Sequence, residues 1–575
     1  MKHLLKFMKG YGKEAILAPT FKCLEAIFEL LVPLAVAQIV DVGIRQGDTK
    51  TVYQMCAFMI GLGIVGLICA ISAQYFAAKA AVGFAQKLRS SLFAHIQSFS
   101  YTVTDRMGTS TMITRMTSDV NSVQTGINMF LRLFMRSPFI VFGAMIMAFT
   151  IDVKLALIFA VTIPVLAIVV FGIMLVGIPL FKKSQQNLDR VVSKVRGNYN
   201  GTRVIRAFNK ENDEIREFDE RNASLTKIQR FAGSISALMN PLTYVIINVA
   251  VILLLQNGSA AVNSGNLSQG ELIALYNYMS QILVELIKLA SLIITLNKAS
   301  ASAHRISVVL QTPSDVEKNV ETETSNDASA LSFRNVSYRY HAGGDEAVSN
   351  VSFSVQSGQT VGIIGGTGSG KSTLMNLIGG FYHPTEGSVF VNGKNTALYE
   401  KSELTSLFGV VPQKATLFAG TIRSNLLFGN EGATEEELWR ALEQAQAKDF
   451  VKEKELALEE PVSQGGSNLS GGQRQRLTIA RALLRKPSFL LLDDSASALD
   501  FVTESRLRSE LKTLDYHPTI FIVSQRTSSI MHADLILVLD DGEVIGSGTH
   551  DSLMKECDVY REIHQTQFAK GGESK

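Results

Sequence analysis

Eight residues, GGTGSGKS at positions 365–372, carry the clearest chemistry in the chain. Gly365, Gly370, Lys371 and Ser372 stand at the spacing of a phosphate-binding loop, with Gly366, Thr367, Gly368 and Ser369 between them. An apolar run (360–364) precedes the loop, and a helix-favouring run opening on Thr373 follows it. Glycines let the main chain wrap a phosphate with its N–H groups inward, and a helix N-terminus adds positive potential. Lys371 then neutralises the β- and γ-phosphates, and Ser372 ligates Mg2+. A second polar stretch, Leu469, Ser470, Gly471, Gly472 and Gln473, runs into the helix-forming RQRLTIARALL and offers another helix start to an anion. Two such starts in one chain suggest that each serves a different nucleotide. A third stretch, FLLLDDSASALD (489–500), reads as a buried strand delivering Asp493 to its tip, with Asp494 directly after it.

All three motifs lie beyond residue 311, where the composition changes. Before it, residues 51–78 and 155–181 carry no charge, and each is long enough to cross a hydrocarbon core of about 30 Å as a helix. Residues 231–270 are also uncharged but contain QNGSAAVNSGNLSQG, a polar loop signal. Weaker spans near 15–40, 128–150 and 271–297 bring the expected crossings to six. The last carries Glu285 and Lys288, and the span near 128–150 carries Arg132 and Arg136. Lys2, Lys6, Lys9 and Lys13 share one face of the N-terminal segment, opposite Leu4, Leu5 and Met8. That pattern fits a helix lying on the membrane surface, with a frayed basic tail as the alternative. The connection 182–230 is rich in Lys and Arg while 257–270 has none, which places both termini in the cytoplasm. The inward connections (79–127 and 182–230) keep a helical pattern, so helices are expected to extend well into the cytoplasm.

The expected layout is a membrane domain with cytoplasmic helix extensions over 1–310 and a polar, acidic linker over 311–330. A nucleotide-binding domain follows over 331–566, then a polar tail over 567–575. Hydrophobic residues make up 46% of the 575, and the net charge of +3 says little about nucleic acid, which is not expected as a partner. Cys23, Cys56, Cys69 and Cys557 show no metal-ligand spacing and read as reduced structural thiols. No secretory signal is read at the N-terminus.

Together the motifs resemble those of ATP-binding cassette transporters of the exporter type, over essentially the whole chain; LSGGQ is that family's signature. The resemblance implies a membrane α-helical bundle of six transmembrane helices fused to an α/β P-loop ATPase domain with a helical signature subdomain. It implies ATP and Mg2+ as cofactors. By it, Tyr340 stacks on adenine, Gln413 in VVPQ senses the γ-phosphate and Mg2+, and Asp493 holds Mg2+ through water. SALD (497–500) matches a loop that crosses the dimer interface, and coupling helices are expected near 109–117 and 207–216.

Two positions depart from the family pattern. Asp494 stands where a water-positioning glutamate is usual, and one methylene fewer pulls the carboxylate back by about 1.5 Å. A displacement of about 1 Å at a reacting centre can cost about 10²-fold in rate. Gln525, in TIFIVSQRTSS, stands where the family has a histidine contacting the γ-phosphate; glutamine donates a hydrogen bond but cannot carry the imidazolium charge. Family domains dimerise head to tail, each ATP lying between one chain's P-loop and the other's LSGGQ. The pattern therefore reads as the degenerate-site half of a heterodimer. Its intact signature would serve the hydrolytic site of a second, different half-transporter. The expected activity is ATP-driven export of amphipathic drugs or lipids across the cytoplasmic membrane. A homodimeric lipid or drug exporter, an importer on the exporter fold and an ATP-gated regulator are the alternatives. Glu25 and Glu29, one turn apart in the first span, are candidates to bind a cationic substrate; a salt bridge to Lys22 is the other reading.

Overall fold

The computed structural model describes residues 2–315, 329–341 and 343–569. Most of the stretch read as a linker, and residues 570–575 of the tail, lie outside the described residues. The chain divides into two compact units, Met1–Ser98 with Met107–Pro313, and Phe99–Arg106 with Ser314–Lys575.

In the first unit, six helices are long and apolar enough to cross a membrane: Gly12–Ile44, Thr49–Gln97, Thr109–Ile151, Val153–Asn200, Glu211–Asn263 and Gln269–Gln311. At 1.5 Å per residue the second of them is roughly 70 Å long, more than twice a hydrocarbon core. The sharp turns between helices are made by side-chain caps. Asp48 Oδ1 accepts from the Lys50 N–H at 3.0 Å, and Asp152 Oδ1 accepts from the Leu155 N–H at 2.8 Å. Ser268 and Glu271 form a capping box at the start of the sixth helix.

Two expectations are corrected and a third is made more specific. The fifth helix runs through QNGSAAVN to Asn263, and Gly258 admits the sixth helix there, since a Cβ on it would lie 2.3 Å from Leu272 Cδ1. The N-terminal Lys2–Met8 forms a 3-10 helix, and part of its apolar face is used by the protein itself. Leu4 is buried, and the ring of Phe7 meets Phe84 of the second helix edge-on at 6.4 Å. Two short helices lie N-terminal to the positions expected for coupling. They are Tyr101–Met107, ended by Gly108 at φ +76°, and Thr202–Ala207, followed by Asn209 at φ +53°. Residues 109–117 and 211–216 instead open the long third and fifth helices.

The second unit begins with β1 (Leu331–Tyr338), β2 (Val348–Val355), β3 (Thr360–Gly365), β4 (Glu386–Val391), β5 (Lys394–Asn395) and β6 (Phe408–Val411). It continues with β7 (Gly420–Thr421), β8 (Pro461–Val462), β9 (Phe489–Asp493), β10 (Thr519–Val523), β11 (Leu535–Asp540) and β12 (Glu543–Gly548). The alternating segments form an antiparallel sheet ordered β2-β1-β4-β5. The continuous apolar runs form a six-stranded sheet ordered β12-β11-β3-β10-β9-β6, parallel except at β12. Strands buried on both faces read as unbroken apolar runs, which is why GII, FLLL and TIFIV belong there. Between β7 and β9, the helices Ile422–Leu427, Glu435–Gln444 and Gly471–Leu483 pack Leu426, Leu438, Leu442 and Leu477 into one core with Leu490, Leu492 and Ile520 of the parallel sheet.

Candidate nucleotide site

Strand register gathers the chemistry. In the parallel sheet Val523 of β10 pairs with Ile363 of β3 on one side and with Asp493 of β9 on the other. Three chain segments therefore leave adjacent strands at the same height: Gly365–Gly370, Asp493–Asp494 and Ser524–Gln525. Two main-chain bonds lock that level, Ser524 N–H to Ile363 O and Asp494 N–H to Val523 O, each 3.1 Å. β6 joins the row, since Val411 pairs with Leu492 and Gln413 follows two residues later. Ligands of open α/β sheets bind outside the carboxyl ends of the strands, and every one of these groups is there.

The loop Gly365–Gly370 leads into the helix Lys371–Ile378, whose first turn has no side-chain cap. Its N–H groups are thus free to face an anion. Gly370 sits at φ +93°, and a Cβ there would lie 2.5 Å from Ala347 O, so only glycine fits. Lys371 is buried; its Nζ donates to Gly365 O at 3.0 Å and also to Gly366 O. Burial pushes the Lys371 ammonium below its ordinary range, opposed by the charges of Asp493 and Asp494. Burial pushes the Asp493 carboxyl up and the Asp494 charge adds to this, while a hydrogen bond from Ser372 and the charge of Lys371 oppose it. A buried ammonium and a half-buried carboxylate beside a ring of bare N–H groups suit a ligand that brings phosphates and a divalent cation together. Thr373 meets Tyr340: their side-chain oxygens are 3.1 Å apart, and the Tyr340 ring stands edge-on to Tyr338 and Tyr382. This leaves Tyr340, at 42% exposure, beside the phosphate loop.

Asp494 and Gln525 line one groove of about 700 Å³ with Ser497, Arg526, Thr566 and Gln567. Asp494 has φ +47°, a left-handed conformation that aspartate tolerates better than most residues. Thr566 and Gln567 are not legible as site residues in the sequence: they sit on a C-terminal helix with no motif, and only tertiary packing brings them here. The signature stands apart. Leu469 is buried, and Ser470 caps the helix Gly471–Leu483 through a capping box with Gln473. The box occupies the N–H groups of Ser470 and Gln473 (3.0 and 3.2 Å) and leaves those of Gly471 and Gly472 for an external anion. A Cβ on Gly472 would lie 3.0 Å from Ala498 O, so the SALD stretch packs directly against the signature. Among the described residues, no hydrogen bond made by Leu469–Gln473 reaches Gly365–Thr373.

Residues 15–286 match the family described as ABC transporter transmembrane region, and residues 348–497 match ABC transporter. Full-length relatives agree. The ABC transporter ATP-binding protein YfiB of Bacillus subtilis (strain 168) is 36% identical over 100% of this chain and 99% of its own length. The chain belongs to the ABC transporter family. The Mycobacterium tuberculosis (strain ATCC 25618 / H37Rv) ABC transporter ATP-binding protein Rv1273c is 34% identical over 98% of this chain and 97% of that protein. A Rickettsia felis (strain URRWXCal2) protein described for export ATP-binding and permease function is 30% identical over 98% of both. The fold is that of a solved bacterial Atm1-family ABC exporter with ATP bound, at TM-score 0.80 and 22% identity over 99% of each chain. This transporter is therefore a multi-pass membrane protein whose six-helix bundle is fused to an ATP-binding ATPase domain.

In the transporter's membrane unit, the charges that interrupt the apolar spans find one another. Arg136 bonds Glu29 Oε2 and Glu285 Oε1, each at 2.6 Å, and lies 3.8 Å from Glu25 Oε1. Ser137 donates to Glu285 at 2.7 Å, while Lys22 pairs with Glu25 and Lys288 with Glu285. Glu25 and Glu29 are thus members of a balanced network of three acids and three bases, which favours the salt-bridge reading over a site for a cationic substrate. The sequence signal is present in Arg136 and Glu285, but their pairing spans 149 positions.

Proposed function

We propose that this chain is one half of a heterodimeric exporter, in which its own nucleotide site holds ATP and turns it over slowly. The observation that carries the reading is the pairing of an intact phosphate loop with two altered groups in one groove. Lys371, Ser372 and Asp493 form a complete cradle, whereas Asp494 and Gln525, the two residues that share the groove, are the two that depart from the family's hydrolytic pattern. Mg2+ fits Ser372, Asp493 and Gln413, and adenine fits Tyr340. The chain's own residues bind and orient the phosphates through bare N–H groups and an ammonium. What they lack is a carboxylate of full reach and a cationic donor at the terminal phosphate. Gly471 and Gly472, with Ser470 and Gln473, serve the site of a second, different half-transporter that supplies the glutamate and histidine. The nucleotide domain and both termini are cytoplasmic, the membrane is the cell membrane, and the substrate is an amphipathic drug or lipid moved outward. Outward movement is supported by the export description of the Rickettsia relative.

The test restores both groups. Asp494→Glu with Gln525→His should raise hydrolysis of ATP trapped at this chain's site by about 10²-fold, the gain expected from correcting a displacement of about 1 Å. Wild-type chain that hydrolyses ATP briskly as a homodimer, with no gain in the double variant, would remove the degenerate-site reading.

A further inference from the structure

The C-terminal helix Asp558–Ala569 holds the loop that carries Gln525 through two side chains, Gln567 and His564. Gln567 Nε2 donates to the main-chain carbonyl of Gln525 at 2.7 Å. Its Oε1 accepts from the Thr527 N–H at 2.9 Å and from Thr527 Oγ1 at 3.0 Å. One carboxamide therefore grips the main chain on both sides of Arg526. One turn earlier, His564 Nδ1 lies 3.1 Å from the same Thr527 hydroxyl. A hydroxyl has one proton, so with it committed to Gln567 Oε1, His564 Nδ1 must be the donor to Thr527 Oγ1. The helix is itself anchored: Tyr560 is fully buried, and its Oη is 2.8 Å from His550 Nδ1.

We propose that Gln567 is a positioning residue of the nucleotide site, fixing the direction in which Gln525 presents its side chain to the terminal phosphate. The inference rests on the nucleotide reading of the groove. Its physical basis is the difference between a charge and a hydrogen bond. A cation at position 525 would act through a potential that falls slowly with distance. Glutamine acts only through a directional bond that weakens steeply once the angle drops below about 120°. A site that uses glutamine there depends more on the loop's orientation, and the groove places Gln567 beside Gln525 and Asp494.

Two variants of the full-length transporter, in nanodiscs and in the assembly in which it purifies, test this. Gln567→Leu removes all three bonds. Gln567→Glu keeps the length and the acceptor for Thr527 but sets a carboxylate against the Gln525 carbonyl, and it preserves the test should Gln567→Leu fail to fold. Both should retain Mg-ATP affinity within about two-fold while slowing single-turnover hydrolysis at this chain's site by about 10-fold. In a Gln525→Ala background the same changes should add almost nothing, because positioned and positioning groups do not act additively. Turnover at the wild-type rate in both Gln567 variants overturns the proposal, as does an equal slowing with and without the Gln525 side chain. Failure of the wild-type chain to bind Mg-ATP would instead overturn the nucleotide reading, and this inference with it.

Discussion

Asp493 ends a buried strand beside a second acid, so its charge is unwelcome until a cation arrives. Burial and the Asp494 charge hold its carboxyl above the ordinary range. A raised folded-state pKa means that the fold favours the neutral form. The penalty is absent below the unfolded-state value, about 3.9, and is fully present above the raised folded value. Asp493→Asn keeps an acceptor for Ser372 and removes that penalty. In the absence of nucleotide it should raise Tm at neutral pH, and the gap should close as the pH falls and the wild-type carboxyl protonates. The same change should weaken the Mg2+ dependence of ATP binding, since Asp493 is the anionic oxygen among the groups that fit the cation. Thermal unfolding across a pH series, with and without Mg-ATP, measures both effects; a lower Tm for Asp493→Asn at neutral pH without nucleotide would contradict the first.

At the scale of the helices, the Arg136 network joins the first, third and sixth spans. The side chains of Arg136 and Glu285 are 8% and 3% exposed, so neither has water to fall back on. Breaking a buried pair by removing one partner costs about 3–5 kcal/mol, because a charge is left unmatched, whereas replacing both with apolar groups is often neutral. Arg136→Met should therefore destabilise the purified protein by an amount in that range. Arg136→Met with Glu285→Leu should recover part of the loss, with Glu29 left to its partial exposure of 39%. Unfolding in detergent, followed by loss of monodisperse protein on heating, gives the comparison. Equal stability of the single and double variants would mean that the network adds nothing to packing.

For the molecule as a whole, the chain's own hydrolytic position and its signature helix start make opposite predictions. On the proposed reading Asp494→Asn alters a carboxylate already set back from the reacting centre, so activity of the assembled transporter should fall only a few-fold. Gly472→Asp adds a side chain and a negative charge where even a Cβ would lie 3.0 Å from Ala498 O, at a helix start whose bare N–H groups serve a partner's phosphate on the proposed reading. Loss of such transition-state contacts typically costs about 10²–10³-fold. ATPase rates of the two variants in the same assembly give the ordering, and equal abolition by both would make Asp494 a working acid. The assembly should contain one copy of this chain and one of a relative, which native mass measurement after mild detergent extraction reads directly. A stable homodimer with brisk turnover would exclude it.

The sequence by itself determined the six apolar helices, the phosphate loop and the signature, because each depends on local rules. Uncharged length makes a span, glycine spacing makes an anion cradle, and Ser470 with Gln473 makes a helix cap. It also exposed Asp494 and Gln525 as departures, since a motif shows its exceptions by position. Tertiary structure alone decided which of these residues meet. The register of β3, β10 and β9 brings Gly365, Gln525 and Asp493 to one level although they lie far apart along the chain, and no local pattern encodes that pairing. The short helix Tyr101–Met107 shows the same limit. All of it but Met107 groups with the second unit, as part of Phe99–Arg106, and there Tyr382 Oη donates to Asp105. Helical periodicity extends on both sides of it, and the breaks are the non-helical residues 98–100 and the left-handed backbone at Gly108. By sequence, Arg136 reads as a blemish in a span and Gln567 as the start of a polar tail. Their roles come from partners 149 and 42 positions away, which is where long-range packing, and not sequence pattern, assigns a side chain its work.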